Sequence, residues 1–443
     1  MTFRSARFIA FIALLLGFLS PQVANAIPAF ARQTGMPCAS CHVGSFGPQL
    51  TKMGRLFKAN GYTMGEKQAF WKGISAMVAG GNEQTAKAVV SPDVGKPNNN
   101  TTIDQVSLFY GGRVTDHIGI MTQATYDPNG KALALDNTDI RYANMTTLAG
   151  QSLIYGVSVN NNPSMQDLWQ TTPAWGYPYL ASALAPAPDA DSFMAGQGGQ
   201  VVGAGAYGLW NDLVYAEYSR YYTLSDGLQQ SFGNGNVSGN DHLDGGASYW
   251  RFALQHDFGP HYLAIGTYGF GARRYPGNDR SAGADQFRDA AIDGTWQVSS
   301  ADGKHSLSAY VSMLHEHQSL RATYALGASA NPTNTMDSFK ANVSYYYDNM
   351  YGLTIGRFDI RGSADALLYG SPNGKPDSSG YISQVDFTPF GKIGDIGYPY
   401  ANIRVFVQYT AYDKFNGQSQ NYDGTGRKAS DNNTVFTGLW FAY

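Results

Sequence analysis

Charged residues are scarce in this sequence. Asp, Glu, Lys and Arg make up only 14% of its 443 residues, and the formal net charge is -3. A soluble enzyme of this size usually has about 25% charged residues. The composition therefore disfavours a soluble enzyme, and the near-neutral balance gives no reason to expect nucleic acid as a partner.

Cysteine is nearly absent as well. The chain has 2 cysteines, Cys38 and Cys41, and both lie in one short motif. An exported protein that depends on disulfides for stability has cysteines spread along its chain. The arrangement argues against a disulfide framework and leaves the pair available for other chemistry.

Long apolar runs are missing after the N-terminus. The first residues are basic, residues 8–19 are apolar, and Ala24-Asn25-Ala26 is a small-residue cleavage site. This pattern predicts a signal peptide over residues 1–26, with the mature chain starting at Ile27. A membrane-spanning helix is the weaker interpretation, because the apolar run falls short of ~18 residues.

Glycine and tyrosine, in contrast, are abundant, with 52 and 30 copies. Together with low charge they are typical of a large β-structure with aromatic girdles. From residue 73 onward, segments of about ten residues alternate in polarity, most clearly in Ser338–Tyr347 and Asn402–Tyr412. One face of each segment is apolar and the other is mostly polar, which is the pattern of a transmembrane β-barrel.

The predicted fold is therefore all-β, a transmembrane antiparallel barrel of about 16 strands over residues 73–443. Connections after even-numbered strands are mostly short, although residues 390–401 form a longer one, whereas most connections after odd-numbered strands are long. The last strand alternates up to a terminal aromatic, Tyr443, which a soluble β-sandwich does not explain. The strands are predicted near residues 73–81, 103–114, 117–127, 137–147, 151–160, 199–210, 212–223, 246–257, 261–273, 286–299, 305–316, 335–347, 351–361, 378–389, 400–412 and 433–443.

The two cysteines belong to the sequence Cys38-Ala39-Ser40-Cys41-His42, a C-x-x-C-H motif of c-type haem attachment. Two thiols at this spacing can reach the two vinyl groups of one haem, and the adjacent histidine supplies a nitrogen ligand to the iron. A zinc site would need four ligands. A dithiol redox centre would lie near a βαβ pattern, which is absent. The motif predicts one covalent haem c.

A small helix is predicted after the motif, with Pro48 at its first position and Gly61 at its end. Its apolar face is expected to cover the haem, and its other face is basic. Arg55 or Lys58 could pair with a haem propionate, or the basic face could simply be solvated. The apolar face comprises Leu50, Met53 and Phe57, and the basic face comprises Lys52, Arg55 and Lys58.

The sixth ligand of the haem iron is less defined. Met36, Met53 and Met64 are all near the motif, and a methionine ligand gives a higher potential than a histidine. Met64 is favoured, because it lies on a flexible stretch just past the helix. The alternative is that all three are packing residues and that the site is open or is closed from elsewhere.

The haem segment, residues 27–72, is too short to bury a core alone. A sixteen-stranded barrel, in turn, leaves an aqueous lumen unless something plugs it. We therefore expect the haem segment to enter the barrel from the periplasmic side as a plug, in the bacterial outer membrane. Outer-membrane lipid is then one of its partners.

Residues 27–42 resemble the opening of the fused outer-membrane cytochrome–porins linked to Fe(II) oxidation in iron-oxidising bacteria. Gly54-Arg55, Phe57-Lys58 and Gly61-Tyr62 extend the resemblance, which is specific over Pro28 to Tyr62 and only architectural over the barrel. It implies a one-haem cytochrome that takes electrons from extracellular Fe(II), or another reduced donor, and passes them to a periplasmic c-type cytochrome. Such a protein would be an Fe(II):cytochrome c oxidoreductase.

Two other functions stay open. The first is a solute porin whose haem segment is only a plug or sensor, and the second is an electron sink that faces the periplasm and has no surface substrate. Sites for iron are weak in the sequence. In His315-Glu316-His317 the glutamate lies on the opposite face from both histidines, so these side chains are expected to be surface ligands without a functional role. Loop 161–198 could form a lid or an ordinary loop.

Overall fold

The computed structural model describes residues 29–90, 92, 94–233 and 240–443. The predicted signal peptide, residues 1–26, lies outside this part of the chain. From Ile74 onward the described chain is dominated by one antiparallel sheet. Its sixteen long strands, β1 to β16, are Ile74–Thr85, Asn100–Arg113, Ile118–Asp127, Ala132–Leu148, Gln151–Asn160, Val201–Trp210, Val214–Thr223, Ala247–Phe258, His261–Tyr275, Asp285–Ser299, His305–Ser319, Thr333–Tyr347, Tyr351–Gly362, Ser378–Phe387, Asn402–Lys414 and Thr434–Ala442.

The sheet closes on itself. β1 pairs with β2 on one side and with β16 on the other, in a register that runs from Met77 opposite Ala442 to Thr85 opposite Thr434. A two-residue strand, His242–Leu243, pairs with the end of β9 within a loop. The prediction of a sixteen-stranded antiparallel barrel is confirmed.

Alternation along each strand separates the outside of the barrel from its lumen. In β15, Val405 and Val407 are 41% and 48% exposed, whereas Arg404 and Gln408 are 2% and 3% exposed. Apolar side chains that face outward around a closed barrel form the lipid-contacting band of a bacterial outer-membrane protein. No helix in the described residues is long and apolar enough to cross a membrane.

The two ends of the barrel differ, as the sequence predicts. The connections after even-numbered strands are mostly tight turns, and we call this end the turn end. Asn211 with Asp212 and Asp348 with Asn349 have positive φ in successive positions of three-residue hairpin connections, a backbone that Asn and Asp tolerate well. The opposite end, the loop end, has the longer connections. In outer-membrane barrels short turns face the periplasm.

Residues 29–73, which we call the plug, lie at the turn end, and the part up to Tyr62 occupies the lumen. The Arg113 backbone N–H donates to Gln33 Oε1 at 2.8 Å, and Asn402 donates to the Ser45 carbonyl at 2.7 Å. These contacts come from β2 and β15, so strands from well-separated parts of the chain hold the segment.

The helices are short. The plug contains α1, α2 and α3, and the loops contain α4 and α5: Ala29–Thr34, Cys38–Cys41, Lys52–Ala59, Asp226–Ser231 and Arg321–Ala325. The predicted start at Pro48 is wrong, because Thr51 caps α3 through its side chain, which accepts a hydrogen bond from the Gly54 backbone. Gly61, with φ of 66°, follows the end of α3 as expected. Single 3-10 turns occupy Val43–Ser45, Phe70–Gly73, Pro173–Trp175, Ala195–Gln197, Pro276–Asn278 and Ala429–Asn432.

Candidate haem site in the plug

The C-x-x-C-H motif forms a single helical turn, α2. The His42 backbone N–H donates to the Cys38 carbonyl at 2.8 Å, which closes the turn. Residues three apart on a helix lie on one face, so the turn presents Cys38 and Cys41 to the same side. Both thiols are free, and His42 leaves the turn in an extended conformation.

The chain after the motif folds back and supports it. The Thr51 backbone N–H donates to the Cys41 carbonyl at 3.0 Å, and the Thr51 hydroxyl donates to the Ser40 carbonyl at 2.5 Å. A Cβ atom at Gly54 would overlap the Cys41 carbonyl, so this helix position needs glycine. The first turn of α3 thus packs directly against the motif.

Cys38, Cys41 and His42 line a cavity of about 600 Å³, which we call the motif cavity. This volume lies within the range of cofactor sites, about 300–1,000 Å³. Phe30, Phe57 and Tyr62 form an aromatic cluster on one wall, with ring centroids 4.9–5.9 Å apart. The barrel adds Phe109 and Trp440, and the loop after β5 adds Trp175 and Tyr179.

The state of the three motif side chains fits a covalent haem. His42 Nδ1 is buried and has no hydrogen-bond partner in the described part of the chain. Burial, together with the nearby Arg404 guanidinium, lowers the pKa of His42 to about 4, so its imidazole is neutral and able to bind a metal. Burial raises the pKa of Cys41 to about 11, so the thiol is protonated. The described residues contain no cluster of three or more His, Cys, Asp or Glu that could hold a metal ion.

The methionines near the motif are separated by the fold. Met64 does not line the motif cavity, and its carbonyl accepts a hydrogen bond from Gln33 Nε2 at 2.8 Å. Met36, Met77 and Met121 do line the cavity, the last two from β1 and β3. The sequence could not identify Met77 and Met121, because they come from strands outside the motif. Met64 as sixth ligand stays a prediction.

The basic side chains of α3 do not form a solvated face. Arg55 is 3% exposed, and its Nη1 donates to the Leu50 carbonyl at 2.9 Å and to Gln297 Oε1 of β10 at 2.8 Å. Lys58 is 7% exposed, and its Nζ donates to the carbonyls of Met165 and Asp167 at 2.7 and 2.8 Å. Only Lys52 is half exposed; it pairs with Asp257 and Asp212 at the turn end.

Residues 161–200, which connect β5 to β6, fold into the lumen, and we call them the inward loop. Met165, Leu168 and Trp169 are at most 1% exposed, and Trp169 Nε1 donates to the Tyr262 hydroxyl at 2.7 Å. The Leu50 backbone N–H of the plug donates to Gln170 Oε1 at 3.0 Å. The inward loop therefore packs on the plug from the loop end, which sequence alone left undecided.

The predicted arrangement of His315-Glu316-His317 is found in β11. Both histidines are exposed on the outer face, and His315 Nδ1 lies 2.7 Å from Asp337 Oδ1. Glu316 is fully buried on the lumen side. The three side chains do not form a common site.

No family model matches the chain, and no curated protein matches it. The chain is similar, at low sequence identity, to solved structures of porin-type barrels. An anion-selective porin from Comamonas acidovorans is 8% identical, covers 84% of this chain and 98% of its own, and has a TM-score of 0.45. Salmonella typhi OmpF, solved with daunomycin, is 13% identical over 84% and 97%, with a TM-score of 0.44. Outer-membrane-expressed OmpT of Vibrio cholerae is 10% identical over 84% and 96%, with a TM-score of 0.41. At these identities and TM-scores the similarity concerns the fold alone.

Proposed function

We propose that this protein is an outer-membrane electron-transfer cytochrome. The observation that supports it is the convergence of Cys38, Cys41 and His42 on one large cavity within the plug and barrel, part of whose wall is aromatic. Cys38 and Cys41 would form thioethers with the haem vinyl groups, and His42 would bind the iron. The bound haem would supply a one-electron carrier in a dry environment.

The placement of the cavity supports a direction for the electrons. The plug lies at the turn end, which in such barrels faces the periplasm, so a periplasmic c-type cytochrome is the natural acceptor. The donor would approach from the loop end, and the resemblance of residues 27–62 favours extracellular Fe(II) over other reduced donors. The chain would then act as an Fe(II):cytochrome c oxidoreductase.

A solute porin with a haem-bearing plug or sensor is the second candidate. The barrel itself favours it, and does so more directly than it favours electron transfer, because a sixteen-stranded barrel can enclose an aqueous channel. Against an open channel stand the plug and the inward loop, which meet inside the lumen through Lys58 and Gln170. The two functions differ in what must pass through the barrel: electrons alone, or solutes.

Two measurements on the purified full chain test the proposal. Anaerobic addition of Fe(II) should reduce the haem, seen as sharpened visible bands, in the wild type; a Cys38→Ala/Cys41→Ala double variant should lack covalent haem. Single-channel conductance in planar bilayers should be low in both proteins. A haem that Fe(II) does not reduce, together with porin-like open conductance, would favour the second candidate.

A further inference from the structure

Two acidic side chains face each other near the loop end of the barrel. Asp289 of β10 and Glu316 of β11 are register partners, and both are buried on the lumen side, with 6% and 0% of their surfaces exposed. Opposed residues in a sheet have Cβ atoms about 4.5–5.5 Å apart, and like charges there are destabilising. A positive species, either a cation or a shared proton, must therefore accompany this pair.

The Asp289 carboxylate lacks donors of its own. Neither of its oxygens accepts a hydrogen bond in the described part of the chain; the Met194 backbone N–H approaches it without hydrogen-bond geometry. The charges that act on it most strongly, on Glu316 and Asp191, are both negative. A buried carboxylate without a partner is costly, so this side chain indicates a missing ligand.

The surroundings are already shaped around the pair. Glu316 accepts hydrogen bonds from the Phe193 backbone N–H and from Gln318 Nε2, both at 2.6 Å. The first donor belongs to the inward loop and the second to β11, and together they fix the orientation of the Glu316 carboxylate. The hydroxyl of Ser192, one residue before Phe193, is also buried and has no hydrogen-bond partner in the described residues. Next to the pair, this hydroxyl is therefore a second buried polar group whose hydrogen-bonding capacity is unused in the described residues.

The neighbouring acidic and histidine side chains do not share this property. Asp285, on the same face of β10, accepts hydrogen bonds from the backbone of Ala322 and Thr323 and from the Thr323 hydroxyl. His315 and His317 are exposed on the other side of the wall. Among these side chains, Asp289 is the one whose carboxylate has no hydrogen-bond donor in the described residues.

We propose that Asp289 and Glu316 form a binding site for a divalent metal cation in the lumen wall. Two carboxylates neutralise a divalent charge, whereas a single proton compensates only one of them. Oxygen ligands from carboxylates, with water completing the shell, suit hard divalent ions such as Mn²⁺. The identification of Fe(II) as the physiological occupant rests on the proposed function.

The position of the site is suited to an entry point. A small cavity between the inward loop and the barrel wall is lined by Asp191 and Ser192, and it shares Gln170, Pro173 and Gly176 with the motif cavity. A cation held by the acidic pair would lie near this small cavity, because Phe193, whose backbone N–H donates to Glu316, directly follows Ser192. Fe(II) would be concentrated there before it gives up its electron.

The site is tested by titrating the haem-loaded full chain with Mn²⁺. Binding is measured as the loss of the electron paramagnetic resonance signal of free Mn²⁺. The wild type should bind one Mn²⁺ more than Asp289→Asn, and Glu316→Gln should weaken binding at least tenfold. Asp337→Asn is the matched control, because it removes one exposed carboxylate beside His315 on the outer face. It should bind Mn²⁺ like the wild type, and heat-modifiable electrophoretic mobility should show that every variant is folded.

Equal Mn²⁺ binding by the wild type and Asp289→Asn would overturn the site and leave a shared proton as the explanation. The failure of the proposed function looks different. If Mn²⁺ binds at the pair but Fe(II) never reduces the haem, the cation site stands and the electron-transfer proposal falls. If both hold, Asp289→Asn should slow haem reduction at low Fe(II) concentrations and less so at saturating ones.

Discussion

Gly44 provides a sharp test of how the motif is fixed against the barrel. It follows His42 by two residues, has φ of 67°, and lies where an added Cβ would overlap the ring of Tyr346 on β12. A left-handed backbone costs a non-glycine residue roughly 1–2 kcal/mol, and overpacking a tight contact costs about 1–3 kcal/mol more. Gly44→Ala should therefore destabilise the seating of the plug by about 2–5 kcal/mol.

Gly35 separates the two contributions. It has a similar φ of 68°, but an added Cβ there would meet no atom within 4 Å. Gly35→Ala should therefore cost only the backbone part, roughly 1–2 kcal/mol. In a Tyr346→Ala background, the additional effect of Gly44→Ala should fall to that of Gly35→Ala, because the overlapping ring is gone.

The assay is the urea concentration at which residues 29–73 become accessible to protease, in the chain refolded into lipid vesicles. The barrel signal, from heat-modifiable mobility, serves as the internal reference. If Gly44→Ala and Gly35→Ala have the same effect, or if removing the Tyr346 ring does not reduce the cost, the motif does not pack on β12 as described.

Three further outcomes are expected. Cys38→Ala or Cys41→Ala should weaken covalent haem retention in denaturing gels stained for haem, and retention in the double variant would contradict the attachment. Met64→Ala should lower the midpoint potential and remove any sulfur-to-iron band if Met64 binds the iron; an unchanged spectrum would move the ligand to a methionine that lines the motif cavity. Burial lowers the pKa of Lys58 to about 7 from its usual 10.5, so folding releases a proton between these values and plug stability should rise with pH across that window. Lys58→Met should remove this dependence in the protease assay, and a slope that persists would assign it to other groups.

The barrel was predictable because its physics is local in sequence. Alternating side chains fix which face of a strand meets lipid, and short Asn- and Asp-containing turns mark where strands reverse. For this reason the predicted strands agree with the observed ones within a few residues. The main differences are at strand ends, such as β1, which runs on to Thr85, and β4, which begins at Ala132.

The interior was harder to predict because it depends on contacts between distant segments. The basic face of α3 looked solvated, since on a soluble protein Arg55 and Lys58 would face water. Here the helix is surrounded by the polar inside of a barrel, so Arg55 and Lys58 are buried. The inward loop, which has no periodic pattern, gave no sequence signal for the contact between Lys58 and the carbonyls of Met165 and Asp167.

The closure of the sheet also bears on the stage of folding at which the proposed haem could be attached. Trp440 and Ala442 of β16 form part of the wall around Cys38 and Cys41, although nearly the whole chain separates them in sequence. Before the barrel folds, the two thiols have no such wall and would be accessible for the attachment of the proposed haem. Once β16 joins β1, that side is shut. If the motif carries the proposed haem, its attachment should therefore precede the closure of the barrel.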